Sequence, residues 1–137
     1  MNACELLVFE GVGSRIFPDV PDDPASLYPD DFVAQAAAEG LINGYRDGLF
    51  RPYADVTRAQ VLTIVVRAAK EFKPRALQTP PADWKGALPA TDATHGKNIR
   101  LAEYNGLLAG IDLSVFAVGA TATRGEIAQI VRNYRLK

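Results

Sequence analysis

Apolar residues fall at helical spacing along much of this chain. Phe32, Val33, Ala36 and Ala37 share one face of a helix predicted over Asp30 to Glu39. Pro29 stands at its start, where the missing N–H costs nothing, and Gly40 stands where a helix commonly ends. A second apolar stripe, Val61, Leu62, Val65, Ala68, Ala69 and Phe72, predicts a helix opened by Thr57. Thr57 with Gln60 has the spacing of a capping box, and Thr123 with Glu126 repeats it before Ile127, Ile130, Val131 and Tyr134. Between the first two helices runs Gly44-Tyr45-Arg46-Asp47-Gly48-Leu49-Phe50-Arg51-Pro52, a loop with an Asp-Gly turn and a proline stop.

The same pattern returns after a shift of 66 residues without a gap. Gly40-Leu41-Ile42-Asn43-Gly44 overlies Gly106-Leu107-Leu108-Ala109-Gly110, and Thr57-Arg58-Ala59-Gln60 overlies Thr123-Arg124-Gly125-Glu126. Phe50 meets Phe116, Val33 meets Ile99, and Ile64-Val65 meets Ile130-Val131. Agreement falls on glycines, caps and apolar positions, which fix a backbone and a core. The reading is therefore a duplicated helix–loop–helix unit and an all-α fold. It divides the chain into an N-terminal segment 1–13, a first unit 14–73, a proline-containing connector 74–89 with Pro74, Pro80, Pro81 and Pro89, and a second, divergent unit 90–137. Cys4 to Phe9 reads as a short helix, either the remnant of a preceding unit or a helix that packs on the core.

Composition narrows the function. Apolar residues are 48% and charged residues 23% of the 137, enough for one compact domain or two small packed units. The net charge of −1 offers no global basic field for nucleic acid, so any anion site must be local. A single cysteine, Cys4, excludes an internal disulfide, and no apolar run reaches the length of a membrane span. Met1 to Glu5 lacks the basic and apolar regions of an export signal, which places any such signal outside this chain.

Phe17-Pro18-Asp19-Val20, the run Gly40 to Pro52 and Val56-Thr57-Arg58-Ala59-Gln60 together resemble an S-layer homology domain in order and spacing over about 55 residues. The second unit resembles that family more faintly. It keeps Gly106, Gly110, Phe116 and the Thr123-Arg124-Gly125-Glu126 cap, but has Ile111-Asp112-Leu113-Ser114 in place of the Asp-Gly turn and no proline after Phe116. The resemblance implies tandem units, often three in a pseudo-symmetric spindle. It also implies a role in attaching exported proteins to the bacterial envelope through secondary cell-wall polysaccharide, often through a pyruvylated sugar.

An anion site has independent physical support. A helix N-terminus carries free N–H groups and partial positive charge, and Arg58 and Arg124 each follow a capping threonine. A cation there opposes the helix dipole, so stability alone would place Asp or Glu at that position. Each arginine is either a carboxylate-binding fork or a strut paired with Asp47, Asp55 or a carboxylate of the neighbouring unit. The resemblance tips Arg58 toward ligand, and Arg124 less so. Sugar rings stack on aromatic faces; Tyr28, twelve residues before Gly40, stands where the family often has tryptophan. Tyr45 and Tyr53 flank the loop and Trp84 opens the second unit, while Phe17, Phe50 and Phe116 are assigned to the core. The candidate ligand-binding set is Arg58, Thr57, Tyr28, Gly44, Tyr45, Asp47, Gly48 and Arg124, with an acidic sugar expected in a groove between units.

Other chemistries find little to stand on. Asp19, Asp22, Asp23, Asp30 and Asp31 do not follow the spacing of a calcium loop, and caps, turns and solvation account for them. His95 is the only histidine, too little for zinc, and reads as an exposed polar residue near a helix start. No nucleophile elbow or phosphate loop is present. The expectation is a non-catalytic module with no cofactor and no metal, bound at the cell envelope to polysaccharide or to a surface-layer protein, and open to self-association through an unfilled unit position. The alternative is the same scaffold as a protein–protein assembly module of a surface-layer or filament protein that has lost glycan binding.

Overall fold

The computed structural model describes residues 17–20, 25 and 30–137, with Asp30 and Asp31 described in backbone only. The helix expected near Cys4 to Phe9, together with Asp22, Asp23, Tyr28 and Pro29, lies outside the described residues. Within them the chain is helical: α1 (Asp30–Ala38), α2 (Arg58–Phe72), α3 (Gly96–Tyr104) and α4 (Arg124–Arg135), with a 3₁₀ turn at Leu113–Val115. No strand forms among these residues; Thr57 and Thr121 make one isolated antiparallel bridge.

Helix ends follow their local signals. Thr57 and Thr123 each cap a helix, with both arms of the capping box formed: the threonine hydroxyl accepts from the third helical N–H, and Gln60 or Glu126 accepts from the cap N–H. Gly40 and Gly106 both end helices at φ 72°, in the left-handed region where a Cβ would be strained. Leu41 N–H donates to Ala36 O and Gly40 N–H to Ala37 O; Leu107 with Ala102 and Gly106 with Glu103 repeat both bonds. α1 and α3 are nine residues each and begin at positions 66 apart, as α2 and α4 do.

The chain divides into two compact units, Met1–Ala54 and Asp55–Lys137. The dividing point precedes α2, so α2 shares a unit with α3 and α4. In the first unit, Phe17, Val20 and Val33 are buried together, with Ala37, Ile42 and Phe50 against them. The rings of Phe17 and Phe50 lie 5.5 Å apart. Phe32 departs from the expected face, 42% exposed in the helix's first turn, while Val33 and Ala36 are buried as expected and Ala34 is buried with them.

In the second unit α2 packs against both α3 and α4 and is buried nearly all round, from Ala59 through Ala69. Leu62, Ile99, Leu107 and Ile130 are fully enclosed, and Phe116 is buried as expected. The proline-containing stretch before α3 is tied down by side chains. Asn105 accepts from Gln78 N–H at 2.7 Å and returns its amide to Gln78 O at 2.9 Å. Glu103 accepts from the backbone N–H groups of Ala87 and Leu88. His95 stands at the start of α3 as expected; it is half-buried, with Nδ1 2.7 Å from the Thr63 hydroxyl.

Candidate functional site

Two loops and two helix starts hold the residues that the sequence singles out. In the first unit Gly44 (φ 69°) and Gly48 (φ 81°) bracket the turn. Tyr45 N–H donates to Leu49 O at 2.8 Å, Gly48 N–H to Tyr45 O at 3.0 Å, and Leu49 N–H to the Asp47 carboxylate at 3.1 Å. Gly44 is needed for space as well as conformation, because a Cβ there would stand 2.5 Å from Phe17 Cε1 and 2.9 Å from Leu49 O. Arg51 has φ 59°, unusual without glycine. Asp19 offsets that strain: its two carboxylate oxygens accept from Phe50 N–H at 2.9 Å and Arg51 N–H at 2.7 Å. The N–H of Phe50, chiefly, holds the Asp19 carboxyl below its ordinary range.

Arg51 also pairs with Asp47 at 2.7 Å and lies over the Tyr45 ring at 4.1 Å. The Asp47 carboxyl is held low by that guanidinium first and by Leu49 N–H second. Tyr45, Asp47 and Gly48 therefore form one exposed turn, with an arginine stacked on one face of the tyrosine. The corresponding stretch of the second unit is built differently. Asp112 accepts from the Ser114 N–H at 3.0 Å and hydroxyl at 2.6 Å and starts the 3₁₀ turn.

At the start of α2, Arg58 is engaged within the second unit. Its Nε and Nη2 donate side-on to the two oxygens of Glu126 at 2.9 and 2.5 Å, and Nη1 donates to Ala117 O at 3.2 Å. The guanidinium sits 4.8 Å from the Phe116 ring centre. Backbone groups of α2 are occupied too, since Arg58 N–H donates to Ala120 O and Ala59 N–H to Val118 O, both at 2.9 Å. Thr57 spends its hydroxyl on Gln60 N–H at 3.2 Å. Of the two roles the sequence leaves open for Arg58, this geometry is that of the strut. Its carboxylate is Glu126, a residue that the sequence marks only as a cap.

Arg58 lowers the pKa of Glu126, with a smaller contribution from the Thr123 N–H that the same carboxylate accepts at 3.0 Å. Arg124, at the same position of α4, is exposed, and neither it nor its own N–H or that of Gly125 has a partner among the described residues. Tyr53 is 76% exposed. Trp84 is half-buried, edge-on to Tyr104 at 5.2 Å. No group of three or more His, Cys, Asp or Glu side chains that would hold a metal ion occurs among the described residues.

Residues 16–62 match the family model of the S-layer homology domain, from the first-unit core through the glycine turn into α2. That segment resembles the S-layer homology domain, a family whose members are in general non-catalytic modules that anchor proteins at the cell wall by binding secondary cell-wall polymers. No curated protein matches the chain. No helix among the described residues is long and apolar enough to cross a membrane.

Proposed function

We propose that this chain is a non-catalytic anchoring module that holds a protein at the outer bacterial envelope by binding an acidic, pyruvylated sugar of secondary cell-wall polysaccharide. The observation that carries this is the 16–62 match together with the tied-down turn it contains, Gly44 to Arg51. The turn presents Tyr45 and Asp47 on a backbone fixed by Asp19, and rigid presentation suits weak polar recognition of sugars. Residues 90–137 serve in this reading as a diverged second unit. Arg58 acts as a strut, and Arg124 is the arginine positioned to take an anion.

The test uses purified cell-wall sacculi, with their polysaccharide retained or chemically stripped. Retention of the protein by the first and not by the second is the expected result. No retention by either sinks the anchoring function. Arg124→Ala weakens retention without lowering thermal stability, whereas Arg58→Ala lowers stability.

A second reading takes support from the closure of Arg58 on Glu126, which builds the chain and reads no ligand. In that reading the scaffold is an assembly contact of a surface protein. It predicts concentration-dependent association in analytical ultracentrifugation and retention indifferent to the polysaccharide.

A further inference from the structure

The second unit contains a cleft of about 510 Å³ between the end of α2, the proline-containing stretch and α3. That volume lies in the range of about 300–1,000 Å³ common for small-ligand sites. Four of its lining side chains are cationic, Lys70, Lys73, Lys97 and Arg100, and none is acidic. In a chain of net charge −1 this is a local reversal of sign. The floor is apolar and includes Leu77 and Leu101.

The cations divide by what they already do. Arg100 donates to the backbone carbonyls of Pro81 and Trp84 and lies over the Trp84 ring, so it pins the wall of the cleft. Lys73 donates to Tyr134 O at 3.3 Å and Arg135 O at 3.4 Å. Their partners are carbonyls, so both positive charges remain unneutralised by any carboxylate among the described residues. Lys70 and Lys97 are exposed, and their ammonium groups have no partner among those residues. Lys97 occupies the first turn of α3, where the helix dipole disfavours a cation; the Asp92 carboxylate at that helix start is engaged by the N–H groups of Thr94 and His95 and forms no ion pair with it.

We infer that this cleft binds the carboxylate of an acidic sugar, with Lys70 and Lys97 as the anion-holding pair, Arg100 as the positioning residue that keeps the wall in place, and the sugar's C–H face on Leu77 and Leu101. The inference rests on the glycan-binding reading and places a contact for it in the second unit. Arrangement favours a sugar over a bare anion, because half of the lining is apolar and a small inorganic ion would leave that surface wet.

The probe is a methyl glycoside of an N-acetylhexosamine bearing a pyruvate ketal, titrated into the full chain and followed by NMR of lysine ammonium and backbone amide signals. Its methyl ester and inorganic phosphate run beside it. The expected result is saturable shifts at Lys70, Lys97, Leu77 and Leu101 with the ketal, none with the ester, and binding weakened by rising salt. The exposed pair changed together, Lys70→Gln with Lys97→Gln, weakens the ketal by about tenfold or more with an unchanged melting temperature. Equal affinity in that variant, equal binding of the ester, or phosphate as tight as the ketal overturns the inference. Sacculi separate the two levels. If the double variant is retained as well as wild type, the cleft is excluded and the anchoring function stands. If wild type is not retained, the anchoring function fails and the titration still decides the cleft.

Discussion

Glu126→Gln tests whether Arg58 is a strut. The carboxylate does two jobs: Oε2 accepts from Thr123 N–H and from Arg58 Nε, and Oε1 accepts from Arg58 Nη2. Glutamine has the same shape but one acceptor and one donor. Placed to keep the Thr123 bond, it turns an NH₂ toward Arg58 Nη2, donor against donor. A hydrogen bond to a charged partner contributes about 1 kcal/mol more than a neutral one, and two such bonds are altered. With the paired side chains 14% and 17% exposed, solvent screens only part of this.

The loss is then about 1–2 kcal/mol, a fall in melting temperature of about 3–10 °C for a chain of this size. The acid limb gives an independent check. Arg58 holds the folded pKa of Glu126 below its ordinary 4.5, so the stabilisation is present above that value and is lost as pH falls through the depressed one. Thermal melts of both proteins from pH 7 to pH 2 should therefore converge as the pH drops below 4.5. A difference that stays constant with pH, or a Gln variant as stable as wild type at pH 7, refutes the strut. Tighter binding of the pyruvylated glycoside by the Gln variant would instead make Arg58 a ligand residue that Glu126 occupies in competition.

Other substitutions check the loop and the connector. Gly44→Ala costs a left-handed φ and an overlap with Phe17 and the Leu49 carbonyl, about 2–4 kcal/mol together. Gly48→Ala meets nothing within 4 Å and costs only the conformational part, about 1–2 kcal/mol, so urea midpoints should rank wild type, Gly48→Ala, Gly44→Ala in falling order. Asn105→Ala removes both bonds to Gln78 and the one to Leu101 O from a buried site, about 2–3 kcal/mol, and should speed amide exchange at Gln78 before the core exchanges.

The sequence made the helices legible because their determinants are local. Period, capping box and terminal glycine all act within about five residues, and Thr57, Thr123, Gly40 and Gly106 behave as that chemistry requires. The Asp47-Gly48 turn was legible for the same reason. Partners distant in sequence were not. Arg58 meets Glu126 across 68 residues, and the capping-box spacing had already assigned that glutamate a sufficient role. A proline-rich stretch reads as a connector, yet Asn105, Glu103 and Arg100 fix it from α3, because side-chain bonds to a backbone leave no periodic trace. The basic cleft was illegible too, since Lys70, Lys97 and Leu77 come from three separate segments and converge only on folding.

The two helix starts with Thr-Arg sequences show how context decides what such a motif does. At α2 the first free N–H groups reach Ala120 O and Val118 O, and the arginine reaches Glu126, so donors and charge are satisfied within the chain. At α4 the same atoms of Arg124 and Gly125 have no partner among the described residues. An anion arriving at α2 must displace a bidentate carboxylate and two backbone acceptors; at α4 it displaces water. Binding energy follows the difference from the occupied state, so equal motifs have unequal affinity. The arginine in the better-matched segment is therefore the poorer candidate for ligand. The open start of α4, and the cleft between α2 and α3 where Lys70 and Lys97 have no partner among the described residues, leave positive charge that the start of α2 does not.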